Sequence, residues 1–332
     1  MMIGLSKAHG IASAAVVGFV LATSGAAAAD RYPSKPVQLV SPLPVGGSTD
    51  VATRAWMECA SQQKLAGQSF VLQNRPGANG VIAANVLKQQ PNDGYSLLVA
   101  GMSQMSITPY IFKKQPYDSQ RDFTGAAIFG TTPFVMVASP QSGIRSIKDL
   151  QAFAKARASG IDLGIPAIAT PAHLLSAALV EKLGIKATLV PQSSEPNGIT
   201  ALMGGQIPAM IFVAGSVTQF VDSGKLVPLM VFTNRHLSQF PGTPTVVEVL
   251  GDETFVRYGW LGIATKAGSP KDVIPAVERW TKSCLDTPEF QQALRNALFT
   301  PRFIDAAEYE RVLQEDIAFW KPWITKLGIS ND

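Results

Sequence analysis

The sequence predicts an α/β fold of two domains, each built on a mostly parallel sheet. Two observations lead there. Residues 30–100 alternate strand, helix, strand, helix, strand, and the stretch 134–232 repeats that alternation. The length agrees, since a leader of 29 residues leaves 332 − 29 = 303, which suits two domains of ordinary size better than one.

The leader is read from residues 1–29. One cation, Lys7, precedes an apolar stretch over 11–23 and small residues ending in Ala27-Ala28-Ala29. That pattern predicts a secretory signal peptide cleaved after Ala29. Asp30 rather than a cysteine stands directly after the site, which argues against a lipoprotein, and no later apolar run has the length of a membrane span.

A first strand is predicted over 37–40. Val51, Ala52, Ala55, Trp56, Cys59 and Ala60 then recur at i, i+4 and i+8, which makes one face of a helix. A second strand over 70–73 runs into "NRPGANG" and the helical "VIAANVLKQQ". Pro91-Asn92-Asp93-Gly94 is a turn by composition, and 95–100 is a third strand. Such connections make right-handed βαβ units, whose ligands sit at the carboxyl ends of the strands. Three loops, 42–50, 74–80 and 101–108, therefore gather on one edge.

The second half places strands over 134–138, 161–165, 187–190, 207–213 and 226–232. Helices are expected over 146–158, 173–183, 199–203 and 217–221, the first of them capped by Ser146 with Asp149 at N3. The C-terminal part is mostly helical, over 273–285 and 289–297, then from a cap at Asp305-Ala306-Ala307-Glu308. The last helix carries Tyr309, Val312, Leu313, Trp320 and Trp323 on its apolar face; Pro322 should bend or restart it, and Gly328 ends it. These helices need a sheet face to cover. Domain 1 is therefore expected from 30–130 and 254–332, with domain 2 from 131–253 between them.

Composition excludes several functions. Without Lys7, 27 cations face 24 anions, so the net charge falls from +4 to +3, and no block of like charge points to nucleic acid. After the leader the chain has two histidines, His173 and His236, neither in a pair nor near cysteine, so no metal site is expected. A Gly-x-Ser-x-Gly elbow is absent, since Gly101-Met102-Ser103-Gln104-Met105 lacks the second glycine. His173, at a helix start, reads as a packing or supporting residue rather than a base. The chain is therefore expected to be no enzyme and to need no cofactor. The two cysteines, Cys59 and Cys284, lie on predicted helices of the same expected domain; export allows a disulfide, and two unrelated buried thiols are the alternative.

The stretch "PVGGSTD" is where chemistry is expected. It has neither the lysine of a phosphate-binding P-loop nor the three spaced glycines of a dinucleotide fingerprint. Gly46 and Gly47 let the backbone turn sharply and approach a ligand closely. The helix start behind them supplies unpaired N–H groups and the positive end of a dipole, which favour a carboxylate or phosphate. Ser48 and Thr49 can add hydroxyls, while Asp50 also reads as a cap or first-turn residue. A plain tight turn is the alternative reading of the whole loop.

Several longer strings are similar to one family. They are "YPSKPVQLVSPLPVGGSTDVATR", "VLQNRPGANGVIAANVLKQQPNDGYSLL", "QPYDSQRDF", "ALMGGQIPAM", "FPGTPTVVE" and "GWLGIATKAGSPKDVI", in that order and at that spacing. The chain resembles the Bug, or TctC-like, solute receptors of tripartite tricarboxylate transporters along almost its whole exported length. The resemblance implies a type II periplasmic-binding-protein fold that closes like a clamp, with the ligand cleft between its two domains and the same domain split as above. It implies that the loop 42–50 holds a ligand carboxylate through backbone groups and ordered waters.

Ligand contacts are then expected from Leu43, Gly46, Gly47, Ser48, Thr49, Asp50 and Ser103, with Ala169, Thr170, His173 and Gln192 across the cleft. The copy departs from the family's pattern at Leu43, where an aromatic residue is usual. It departs again at Ala167 and Ala169 in place of glycines, at Thr170 in place of serine, and at Gln192 and Ser193 in place of tyrosine and lysine. The expected function is a monomeric periplasmic receptor that delivers a small organic acid or amino acid to membrane transporter subunits. A ligand sensor for a signalling partner and a secreted hydrolase are the alternatives.

Overall fold

In the computed structural model, residue 1 and residues 32–62, 66–192 and 194–330 are described. The expected leader, its cleavage site and Ser193 lie outside them. The first half runs β1 (Val37–Ser41), α1 (Ser48–Gln62), β2 (Phe70–Asn74), α2 (Val81–Gln89), β3 (Ser96–Gly101), α3 (Ser119–Asp122) and β4 (Phe123–Ala138). Next come α4 (Ile147–Lys155), β5 (Ile161–Ile165), α5 (Pro171–Leu183), β6 (Ala187–Pro191), α6 (Glu195–Met203), β7 (Ala209–Val213), α7 (Ala214–Asp222), β8 (Val227–Val231) and α8 (Val246–Leu250). The chain closes with β9 (Tyr258–Lys266), α9 (Val273–Leu285), α10 (Pro288–Asn296), β10 (Thr300–Ile304) and α11 (Ala306–Lys326).

The strands follow the order β2-β1-β3-β9-β4-β7-β5-β6, with β8 and β10 also paired to β4. Parallel pairing holds where βαβ units were expected, between β1 and its neighbours β2 and β3 and between β5 and its neighbours β6 and β7. The junctions are antiparallel. β9 pairs with β3 on one side and with β4 on the other. β4 itself is 16 residues long. Residues 123–133 pair with β9, and residues 134–138 pair with β7 and β8, so one strand carries both parts of the sheet.

Sequence periodicity located only the end of β4 and missed β9 and β10. The beginning of β4, "FTGAAIFGTT", has no alternation because both of its faces are covered. Gly125 lies under the Tyr309 ring, where an added Cβ would come within 2.1 Å of a ring carbon. No side chain fits between the strand and α11 there.

Three cores hold these layers. Trp56, Trp280, Phe129 and Phe290 pack with β1 and β3 under α1, α9 and α10. There the Trp56 Nε1–H donates to the Thr281 hydroxyl at 3.0 Å, and Cys59 and Cys284 form a disulfide with Cα atoms 5.8 Å apart. A second core gathers α5, α11 and the other sheet face, with Tyr309 and Trp320 fully buried. A third lies between β4, β7 and α6, around Phe212 and Phe240. Caps sit where they were expected: Ser146 accepts from the Asp149 N–H, and Asp305 accepts from the Glu308 N–H. Pro322 neither ends nor restarts α11, which continues to Lys326 and is closed by Gly328 in the left-handed region. Trp320 and Ile324, buried on either side of Pro322, hold the helix through the lost hydrogen bond.

Candidate functional site

The loop between β1 and α1 is built around Asp50. Its side chain turns inward and is 2 % exposed. One carboxylate oxygen accepts from the Gly46 N–H at 3.0 Å and from Arg54 Nε at 2.9 Å. The other accepts from Asn74 Nδ2 at 2.9 Å, and the same amide reaches the Leu43 carbonyl. Burial pushes this carboxyl up, but the hydrogen bonds from Arg54, Gly46 and Asn74 outweigh it and hold the group below the usual carboxylate range. Asp50 therefore ties three chain segments together beneath the loop. Of the two glycines only Gly46 takes a left-handed conformation, at φ +86°. Gly47 does not need its freedom for the turn.

Above this knot lies a cleft of about 410 Å³. It is lined by Pro42, Leu43, Thr49, Ser103, Gln104 and Trp260, and across from them in the chain by Thr170, Pro171, Ala172, Glu195 and Val213. An adjoining cavity of about 470 Å³ shares Leu43, Ser103 and Thr170 and adds residues 76–80 and 167–169. The three loops that the sequence placed on one edge thus meet here. Thr49 is in the first turn of α1, Pro171 and Ala172 open α5, Glu195 opens α6, and Val213 caps α7. Four helix N-termini therefore converge on one cleft. Among the described lining residues none is lysine, arginine or histidine, and Glu195 is the one ionisable group. Attraction for an anion in this cleft would have to come from helix-end N–H groups, because its one ionisable side chain is acidic.

The chain is similar to known proteins in sequence and in fold. The family model "Tripartite tricarboxylate transporter family receptor" matches residues 54–329. The chain belongs to that family. BugT of Bordetella pertussis is 30% identical over 322 residues, covering 95% of this chain and 97% of its own. Among solved structures, a TctC solute-binding protein from Polaromonas superposes with a TM-score of 0.79 at 25% identity, covering 89% of this chain and 99% of that one. The periplasmic binding protein BugD gives 0.68 at 26% identity, covering 90% and 99%. The fold is thus the periplasmic-binding-protein fold of the TctC and Bug receptors.

Within this receptor fold the expected contact residues separate into groups. Leu43, Thr49, Ser103 and Thr170 line the main cleft, and Ala169 lines the adjoining cavity. Gly46, Gly47 and Ser48 are exposed on the loop rather than in either lining, and Asp50 points away from it. Thr170 caps α5, donating its hydroxyl to the Ala167 carbonyl at 2.8 Å while accepting from the His173 N–H. His173 is 7 % exposed, and its Nδ1 accepts the Ala169 N–H at 3.2 Å. It buttresses the 167–170 loop from behind, and burial lowers its pKa. Ala169 sits at φ +62°, in the left-handed region that glycine occupies without strain. Gln192 lines neither cavity and folds its amide back onto the Val190 carbonyl.

Sequence reading missed Gln104, Trp260 and Glu195. Gln104 stood in a loop already singled out, and Trp260 within "GWLGIATK". Trp260 is held by its Nε1–H, which donates to Asp316 at 2.8 Å on the side away from the cleft. Burial pushes the Asp316 carboxyl up to about 7, against the opposing effects of the Trp260 hydrogen bond and Arg257. Glu195 gave no signal, because an acidic residue in a first helical turn is ordinary.

Proposed function

We propose that this protein is a periplasmic solute receptor that holds a small carboxylate in the cleft and delivers it to the membrane components of a tripartite tricarboxylate-type transporter. The observation that carries the reading is the convergence of the α1, α5 and α6 N-termini, with that of α7 behind Glu195, on a cleft without lysine or arginine among its described lining residues. Such a site suits a single small anion bound by N–H groups. The loop 42–50 supplies the carboxylate contact, in a conformation set in advance by Asp50. The two lobes, 30–130 with 254–332 and 131–253, move about the crossing of β4 and the return through residues 254–258. The receptor acts in the periplasm as a monomer whose leader has been removed after Ala29, and it catalyses no reaction. Membership of the receptor family supports this reading.

A thermal-shift panel of organic acids on protein stripped of copurified ligand tests it. A ligand at a hundredfold excess over its Kd stabilises by about 2.7 kcal/mol, a readily visible shift. Absence of a shift with every mono-, di- and tricarboxylate, amino acid and aromatic acid would count against the reading. Intact mass of the periplasmic protein should begin at Asp30.

A further inference from the structure

The cleft already contains a carboxyl group of the protein's own. Glu195 opens α6, yet its carboxylate reaches across to the start of α7. It accepts from the Ser216 hydroxyl at 3.0 Å and from the Val213 backbone N–H. Val213 is the N-cap of α7 and makes no side-chain cap of its own. The helix start that would attract a ligand carboxylate here is thus occupied by the protein's own carboxylate. Glu195 also lines the main cleft, where no described lining residue carries a compensating positive charge. Burial pushes its carboxyl above the usual range in spite of both hydrogen bonds.

We infer that Glu195 sets the ligand class of the receptor: a molecule with one carboxylate for the α1 end and a hydrogen-bond donor, an ammonium or an amide N–H, for Glu195. A second carboxylate at that end meets a fixed like charge and is rejected. The inference rests on the reading of the cleft as a carboxylate-receptor site.

The test is calorimetry at pH 8 with three matched series of four to six carbons: α,ω-dicarboxylates, their monoamides, and the corresponding ω-amino acids. Wild type is compared with Glu195→Gln and Gly47→Val. Glutamine keeps an acceptor for Ser216, so α7 retains its cap. Wild type should bind the amino acid or the monoamide at least about tenfold more tightly than the dicarboxylate of equal length, the difference expected when one charge-assisted hydrogen bond is replaced by a like-charge repulsion. Glu195→Gln should bring the two within about threefold. Preference for the amino acid over the monoamide identifies a cationic donor and the reverse a neutral one, and either supports the assignment. A dicarboxylate bound by wild type as tightly as its partners, or a preference that survives Glu195→Gln, overturns it. If Gly47→Val still weakens that dicarboxylate, the carboxylate-receptor reading stands and only the role of Glu195 falls. If no compound of the three series binds wild type while an acid of the thermal-shift panel does, the role of Glu195 falls and the carboxylate-receptor reading stands; if nothing in either set binds, both fall.

Discussion

Gly47→Val separates a ligand-binding loop from a mere turn. A Cβ built on Gly47 finds the Pro44 carbonyl oxygen at 3.9 Å as its nearest neighbour, an ordinary van der Waals contact. The backbone there is outside the left-handed region, and the Gly47 carbonyl keeps the first helical bond from the Val51 N–H at 3.0 Å. The residue is exposed, so the substitution should change unfolding free energy by no more than about 0.5 kcal/mol. Binding is different. If the loop holds the ligand carboxylate as proposed, the valine side chain stands where that carboxylate must approach the backbone. Losing one charge-assisted hydrogen bond costs about 1.5–3 kcal/mol, a fall in affinity of about ten- to a hundredfold. Calorimetry with an acid found in the thermal-shift panel measures the affinity, and thermal unfolding without ligand measures the fold. Gly46→Val is the contrasting control. With φ at +86° a valine there is strained by about 1–2 kcal/mol, so stability falls as well. If Gly47→Val unfolds at the wild-type temperature and binds the acid as tightly as wild type, the loop is only a turn and the anion site lies elsewhere.

Three further outcomes follow from the structure. Cys59 and Cys284 are 225 residues apart, so removing the bridge should cost up to about 5 kcal/mol by the chain-entropy account; an unchanged denaturation midpoint in the double serine variant would refute the bridge's role. Ala169→Gly relieves a left-handed alanine worth about 1–2 kcal/mol but adds unfolded-state entropy of about 0.5–1, so a net gain of about 0–1.5 kcal/mol is expected in urea unfolding, and a loss would contradict it. Asp316, with its carboxyl pushed up to about 7 by burial, keeps its proton in the folded protein while the unfolded chain releases it near pH 4. The folded state then binds more protons between those values, so wild-type stability should fall relative to Asp316→Asn as pH rises from about 4 to 7 and level off above. A difference that does not vary with pH would rule out the buried proton.

Local patterns determined much of this protein. The i, i+4, i+8 row placed Ala52, Trp56 and Ala60 on the buried face of α1, and all three are fully buried. Ser146 and Asp305 marked helix starts because capping is a contact within four residues. The three loops on one edge followed from βαβ handedness. The tertiary structure decided whatever depends on partners distant in the chain. The beginning of β4 is a strand because β9 pairs with it, although its own residues show no strand period. Pro322 stays helical because Trp320 and Ile324 are held in the core. Cys59 and Cys284 could be bridged only once α1 and α9 brought their Cα atoms to 5.8 Å. Asp50 read first as a cap or first-turn residue and second as a ligand contact, and what it does in the fold was decided by Asn74, 24 residues away, which claims its second oxygen. Glu195 acquired its meaning from Ser216, which a sequence window sees only as an unrelated residue 21 positions on. Local periodicity and capping are written in neighbouring residues, whereas the sign of a cleft is a sum over side chains and dipoles that only folding assembles.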